Sequence, residues 1–422
     1  MAILGSGAGP CAIVNGSGLR PGFSHVRLAL PGMELMTAPL RILIIRPSAL
    51  GDVCRTVPVL ASLRAAYPAA RIDWVVQAGF EDAVRAHPML DGVVRFPRKE
   101  FDGWWRKPGV ARQVLRWART LREARYDLVF DCQGLGRSGV MAWATRAPKR
   151  IGLRSARELA WLFYNRRHPP SPSPHTVDEM LWLLQCEGIE PVRDLRLYVH
   201  GEDESWWRER RAALSLGGPY AVLAPTSRWI SKRWPIAWWG ELLDPLRRRG
   251  IERAVVIGAP GEREQVAAMI ERSELVDLVG ASTVGQTMAV VRDAAVVVAN
   301  DSAPLHMAVG FDRPAVGLYG PTDPERVGPY TNGNVGRTCV VLRGHTQTNG
   351  ERVNFRSDSL GDSLMRTIAP AMVIERIDAV LAASKQTSPN KWHTVDVEAR
   401  PTPAGTDAPQ EVGFAPSAAR RR

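Results

Sequence analysis

Short apolar runs alternate with amphipathic stretches through the middle of the chain. Arg41–Arg46 (RILIIR), Arg71–Val76 (RIDWVV), Gly92–Phe96 and Tyr126–Asp131 (YDLVFD) are rich in β-branched residues and bounded by turn formers. Such runs predict strands covered on both faces. Between them, Val53–Ala66, Phe80–Ala86 and Val110–Ala124 carry apolar residues at helical spacing. After a polar stretch the alternation restarts. Tyr220–Ala224, Ala254–Gly258, Leu275–Val279, Ala295–Ala299 and Ala315–Tyr319 predict strands, and Trp238–Arg249, Glu262–Arg272, Thr283–Asp293 and Pro304–Val309 predict helices. Strand–helix alternation in two blocks predicts an α/β protein with two doubly wound, Rossmann-like halves and a ligand cleft at the carboxyl ends of their strands.

The same pattern sets provisional boundaries. Residues 39–200 form the first half and residues 201–364 the second, with an irregular insert over 331–362. A final helix occupies 365–384. Residues 1–38 are Gly-rich without apolar periodicity, and residues 385–422 are polar and end in Arg420-Arg421-Arg422. Both ends are expected to stay unstructured, because so little apolar surface cannot offset the entropy of ordering.

Composition narrows the function classes. With 422 residues, 45% hydrophobic and 23% charged, the chain falls in the ordinary globular range. No run approaches the ~20 apolar residues of a membrane-spanning helix. The five cysteines are scattered and form no CxxC pair, which argues against a disulfide framework or a structural zinc site. The apolar start has no basic stretch before it, so a secretory leader is not expected and a cytoplasmic location is. The formal net charge of +12 calls for an anionic partner: nucleic acid, an anionic membrane surface or a phosphorylated substrate.

Three segments at predicted strand ends hold candidate chemistry. In Arg46-Pro-Ser-Ala-Leu-Gly-Asp52, Asp52 reads either as a helix cap or as a general base for a substrate hydroxyl. Thr226-Ser227 leads into Arg228, Lys232 and Arg233, a set suited to phosphate and alternatively a basic surface loop. Asp301-Ser302-Ala303-Pro304-Leu305-His306 closes a buried strand, with Ser302 as a ready N-cap and Pro304 in the first turn. Free N–H groups there suit a pyrophosphate. His306 reads equally as a core histidine, and Glu262 either as a ribose ligand or as a first-turn glutamate. No HExxH, GxSxG or Walker A motif is present, and the eight histidines are dispersed. No metal is therefore expected, and Lys, Arg and helix N-termini would carry the charge of a diphosphate leaving group.

Taken together, these residues resemble glycosyltransferase family 9, the heptosyltransferases of lipopolysaccharide core synthesis, and most closely the members that add the first heptose. The resemblance rests on Ser48-Ala-Leu-Gly-Asp52-Val with Thr56-Val-Pro58, on Asp73-Trp-Val-Val76 with Gly79-Phe80, and on Tyr126 to Gly134. It rests also on Ser155-Ala-Arg-Glu158 with Leu162 to Arg166, on Asp301 to His306, and on Leu318 to Pro324. It spans about Arg41 to Tyr330 and implies a GT-B fold whose last helix packs back toward the first half. It further implies inverting, metal-independent transfer of L-glycero-D-manno-heptose from ADP-heptose to a Kdo sugar of lipid A.

By that resemblance Asp52 is the base and Lys232, with Thr226 and Ser227, holds the donor diphosphate. Asp301 meets the donor sugar, Ser302 and Ala303 meet phosphate through the backbone, His306 belongs to the same donor motif, and Glu262 takes the ribose. Arg157 faces the anionic acceptor, joined by Arg98 and Lys99 and by Arg106-Lys107. Ala303 departs from the glycine usual at its position, which suggests a tighter donor pocket. A phosphate- and carboxylate-bearing acceptor explains the positive charge without nucleic acid, and Lys/Arg near lipid headgroups suit peripheral contact with the inner face of the inner membrane. The tryptophan-rich segment Trp104–Trp117 is read either as a bilayer contact or as a core helix. Two rivals remain: a family member with another nucleotide sugar or glycan acceptor, and a non-catalytic sugar-nucleotide binder of the same fold.

Overall fold

The computed structural model describes residues 39–330, 338–344 and 358–386. Of the segments expected to be unstructured, 1–38 and 387–422 lie outside them, while Lys385 and Gln386 of the expected tail 385–422 belong to the last helix. The first sheet contains β1 (Arg41–Ile45), β2 (Arg71–Gln77), β3 (Gly92–Phe96), β4 (Leu128–Asp131), β5 (Lys149–Leu153) and β6 (Arg166–His168). Its order is β3-β2-β1-β4-β5-β6 and every pairing is parallel. The second holds β7 (Tyr220–Ala224), β8 (Arg253–Val256), β9 (Leu275–Asp277), β10 (Val296–Asn300), β11 (Ala315–Tyr319) and β12 (Cys339–Arg343). Its order, β12-β11-β10-β7-β8-β9, is the same doubly wound pattern and again wholly parallel. In each sheet the strand order reverses beside the first strand, and the crevice at that point receives ligands in this class of fold.

The helices of the first half are α1 (Leu50–Arg55), α2 (Val57–Ala66), α3 (Pro108–Glu123), α4 (Gly136–Ala144) and α5 (Thr176–Gln185). After α6 (Gly201–Ala213) come α7 (Ile236–Gly240), α8 (Leu243–Arg247), α9 (Ala267–Ile270), α10 (Val284–Arg292), α11 (Ala303–Gly310) and α12 (Pro324–Val327). The chain closes with α13 (Asp358–Met365) and α14 (Pro370–Gln386). Several single predicted helices are broken. Val53–Ala66 becomes α1 and α2, with Pro58 in the first turn of α2, where its missing N–H costs nothing. Trp238–Arg249 becomes α7 and α8, Phe80–Ala86 shrinks to a 3₁₀ turn at Glu81–Ala83, and Glu262–Arg272 divides between the 3₁₀ turn Pro260–Val266 and α9.

Two findings correct the expectations for the second half. The insert over 331–362 is not wholly irregular, because β12 lies within it as an edge strand paired to β11. The last helix does not turn its buried face to the first half: Val373, Ile377 and Val380 of α14 join Val316 and Leu318 of β11 in the core of the second sheet. One apolar cluster nevertheless unites the halves, running from Ile42, Val57 and Trp74 to Tyr220, Val297 and Leu305. Helices α1 and α11, each following a central strand, meet at that junction. A Cβ on Gly51 of α1 would come within 2.8 Å of the His306 ring and 3.4 Å of Ala303 Cα, so only glycine permits this approach without displacement.

Candidate active site

At the end of β1 three charged side chains form one clamp. Arg46 is buried, donates to the Cys132 carbonyl, and lies 3.0 Å from Asp52. Arg55, one turn after Asp52 on α1, pairs with its other carboxylate oxygen and donates to Thr176 Oγ1 of α5 at 2.9 Å. Asp52 also accepts the Ala49 N–H at 3.2 Å, so the helix-capping role and a place in the site coexist. Burial alone would push this carboxyl up; the two guanidiniums and the N–H outweigh it and hold it well below the usual carboxylate range. Ser48 N–H bonds Gln133 Oε1 at 3.3 Å, tying the loop after β1 to the loop after β4.

The facing edge is built around Asn300, the fully buried last residue of β10. Its oxygen accepts the Trp234 N–H at 3.2 Å and its amide donates to the Pro225 carbonyl at 2.6 Å. One side chain thus pins both ends of the irregular loop 225–234, which carries Thr226, Ser227 and Lys232. Thr226 and Ser227 are buried, and Ser227 N–H bonds Gln265 Oε1 at 3.2 Å. Lys232 Nζ lies 2.6 Å from Asp301. Ser302 is the N-cap residue of α11, but its hydroxyl donates to the Asn300 carbonyl at 3.1 Å and does not cap. The Tyr319 phenol, buried beneath, is pushed well above its ordinary range by burial and then by the Asp301 charge.

His306 joins the two edges. It is buried on α11 with Nδ1 unpartnered, and burial followed by the Arg55 charge pushes its pKa well below the ordinary histidine value, against the pull of Asp52. It is therefore neutral. Asp52, Arg55, His175 and Lys232 all act electrostatically on this one ring, so Asp52 and Lys232 approach the same junction. His175 caps α5: its Nδ1 accepts the Val177 N–H at 3.2 Å, which leaves Nε2–H to donate to the Gly328 carbonyl at 3.3 Å. The Tyr330 ring packs against it at a tilt, with the hydroxyl donating to Asp178 at 2.6 Å and accepting from Arg193 at 3.0 Å.

Comparison with known proteins places this geometry. Residues 114–353 match the family model described as glycosyltransferase family 9 (heptosyltransferase). Lipopolysaccharide heptosyltransferase 1 of Pseudomonas aeruginosa is 32% identical over 70% of this chain and 83% of its own length. The chain belongs to glycosyltransferase family 9. By that membership it is a glycosyltransferase. Lipopolysaccharide heptosyltransferase 2 of Escherichia coli is 25% identical over 81% of this chain and 99% of its own. The Escherichia coli heptosyltransferase solved with ADP superimposes with a TM-score of 0.64 at 25% identity, covering 81% of this chain and all of that one, 100%. The fold is accordingly GT-B, two Rossmann-like halves facing a central cleft.

Within this family member the junction gathers Asp52, Lys232, Asp301, Ser302, Ala303 and His306, with Thr226 and Ser227 on the adjoining loop. Glu262 is half-buried in the turn Pro260–Val266, whose Gln265 bonds Ser227, and accepts the Ala259 N–H at 2.9 Å. Its local bond is that of a first-turn glutamate. The five basic residues expected at the acceptor, Arg98, Lys99, Arg106, Lys107 and Arg157, are all exposed. Arg157 N–H bonds the Gly134 carbonyl at 2.9 Å, and Arg98 acts on Arg137, whose pKa is lowered by burial and then by that like charge. Lys99 follows Arg98 on the loop after β3. Arg55, His175, Gln265, Asn300 and Tyr319 were not foreseen. Only Arg55 carried a local signal, its position one helical turn from Asp52. Among the described residues no cluster of three or more His, Cys, Asp or Glu side chains suits a metal ion, and no helix is long and apolar enough to cross a membrane.

Proposed function

We propose that the chain is an inverting heptosyltransferase that moves L-glycero-D-manno-heptose from ADP-heptose to a Kdo sugar of lipid A. Support for the donor comes from the relatives: solved heptosyltransferases of Escherichia coli hold ADP and ADP-2-deoxy-2-fluoro heptose. Support for the acceptor comes from the relative named heptosyltransferase 1 and from the exposed basic loops of the first half. The observation that carries the reading is Asp52 set at the same junction as the Lys232–Asp301 pair, all acting on His306 or its neighbours.

The reaction is a single displacement. The acceptor hydroxyl gives its proton to an Asp52 carboxylate oxygen as its own oxygen bonds the anomeric carbon from the face opposite the diphosphate. The bond from that carbon to the diphosphate oxygen breaks, its electron pair leaves with ADP, and configuration inverts. Lys232 turns from Asp301 to the developing charge, helped by the backbone N–H groups of Ser302 and Ala303; no metal is invoked. Neutral His306 lines the junction without repelling Lys232. Both arginines keep Asp52 ionised and aimed, so its carboxylate is available to take the hydroxyl proton as the new bond forms.

The test is a donor and acceptor screen with purified protein. ADP release from ADP-heptose should require a Kdo-bearing acceptor not yet heptosylated. Turnover only on an acceptor already carrying heptose would reassign it within the heptosyltransferases. Consumption of another nucleotide sugar, with ADP-heptose untouched, would overturn the donor. Donor binding without turnover on any acceptor would make the chain a non-catalytic binder.

A further inference from the structure

Among the described residues, large apolar side chains exposed to solvent concentrate in one stretch: all but Ile230 and Met372 lie between Trp104 and Leu162. In that stretch α3 and α4 pack side by side and leave a groove of about 590 Å³ between them. Leu115, Arg119, Arg122, Arg125, Trp143 and Arg146 line it. The residues on α3 follow helical spacing, since Arg112, Leu115, Arg119 and Arg122 fall three or four apart and share one outward stripe. Leu115 is 69% exposed and Trp143 is 43% exposed. The Arg146 guanidinium sits 4.0 Å from the Trp143 ring centre, a cation–π contact that keeps both at the surface. The acid in the lining, Glu123, is already paired with Arg119 at 2.7 Å. Arg122, Arg125 and Arg146 have no carboxylate partner among the described residues.

A cationic groove rimmed by exposed leucine and tryptophan does not bury itself in this fold, so it needs an outside partner that is anionic and apolar at once. Nucleic acid meets the charge but not the aliphatic rim, which continues over α4 and its neighbouring turn as Val140, Leu159 and Leu162. An anionic bilayer interface meets both, with tryptophan at headgroup depth and arginine on lipid phosphate. Position agrees. Helix α4 begins beside Gly134, where the Arg157 backbone is anchored, and ends at the groove, about 13 Å on at 1.5 Å per residue.

We propose that the α3–α4 groove is a docking face for anionic phospholipid. Lipid phosphate contacts Arg122, Arg125 and Arg146, while Leu115 and Trp143 enter the headgroup boundary. Its purpose rests on the lipid-linked acceptor proposed above; its test does not.

The full chain is sedimented with vesicles of phosphatidylcholine alone and of phosphatidylcholine mixed with phosphatidylglycerol. The wild type should partition onto the mixed vesicles at low salt, not onto neutral ones, and be released at high salt. The triple variant Arg122→Gln/Arg125→Gln/Arg146→Gln should lose at least about tenfold in partitioning, given the strength of each surface cation at such a membrane. Leu115→Ser should weaken it less, and both variants should keep the wild-type melting temperature and transfer to a soluble, delipidated acceptor. Equal partitioning of wild type and triple variant would overturn the proposal. So would saturation of the groove by free glycerol phosphate without vesicle binding, or self-association that the triple variant abolishes while vesicle binding persists. Loss of transfer on the soluble acceptor alone would fault the enzymatic reading and leave the docking face standing.

Discussion

The two edges of the junction each hold a carboxylate against cations, yet they are built differently. At the first, Asp52 is gripped by two guanidiniums that are themselves fixed, Arg46 by the Cys132 carbonyl and Arg55 by Thr176. At the second, Asp301 faces a single ammonium, Lys232, on a loop pinned from beneath by Asn300. A planar guanidinium held at several points reorients poorly, whereas an ammonium is a compact charge on a flexible stem. The first edge is therefore suited to fixing a base in place and the second to handing a cation from aspartate to diphosphate. Asp52 keeps 24% side-chain exposure against 9% for Asp301, which leaves Asp52 the more accessible of the two.

Breaking the first edge should have the largest effect. Asp52→Ala is expected to lower kcat by about 10²–10⁴-fold, the range for removing a general base, while donor affinity by calorimetry changes little. An equal loss in donor affinity would mean that the clamp shapes the donor site instead. Lys232→Met should lower kcat/KM by about 10²–10³-fold through lost charge stabilisation. Its effect should shrink when Asp301→Asn is added, since the unpaired aspartate is then removed. Additive losses in that cycle would show that the pair does not exchange partners.

Gly51→Val tests the contact between the edges. The added side chain must displace the His306 ring or α1, at a cost of about 1–3 kcal/mol for overpacking, read as a lower melting temperature with reduced kcat. Arg55→Met sharpens the comparison further. Without one guanidinium, the Asp52 pKa rises toward the ordinary carboxylate value near ~3.9, so the acid limb of the kcat profile should move upward while activity near neutrality changes less. An unmoved limb would remove Asp52 as the titrating base. The smallest expected effect is on stability. His306 is held neutral, so its contribution is complete above the unfolded histidine value of about 6.5 and is lost as pH falls below it. His306→Asn should flatten the fall of melting temperature between neutral and mildly acidic pH. His87, whose pKa burial pushes down to about 4, and His175, lowered likewise, retain part of that slope.

Strands buried on both faces were the most legible parts of the chain. RILII, LVFD, YAVLA and VVVAN declare themselves because no polar alternation interrupts them. The strands that escaped notice lie at or next to a sheet edge: KRIGL, between β4 and β6, and RRH, at the edge, open with charged residues that stay wholly or partly exposed, and the edge strand CVVLR sits between segments of irregular composition. Asp52, Lys232, Asp301 and His306 were legible because each follows a strand end within a recognisable string. Ser302 was placed correctly as the N-cap residue, but its hydroxyl turned to the Asn300 carbonyl, a choice set by the neighbouring backbone.

The amino-acid order alone determined which segments are strands buried on both faces, that two α/β halves exist, and which polar residues stand at their carboxyl ends. All of that follows from periodicity and turn chemistry within windows of a few residues. Only the tertiary structure decided that Arg46 and Arg55 converge on Asp52, that Asn300 pins a loop 66 residues away in the chain, and that Gly51 lies against His306. Those pairings depend on how two sheets pack across a shared apolar layer, and close packing joins residues whose separation along the chain carries no local signal.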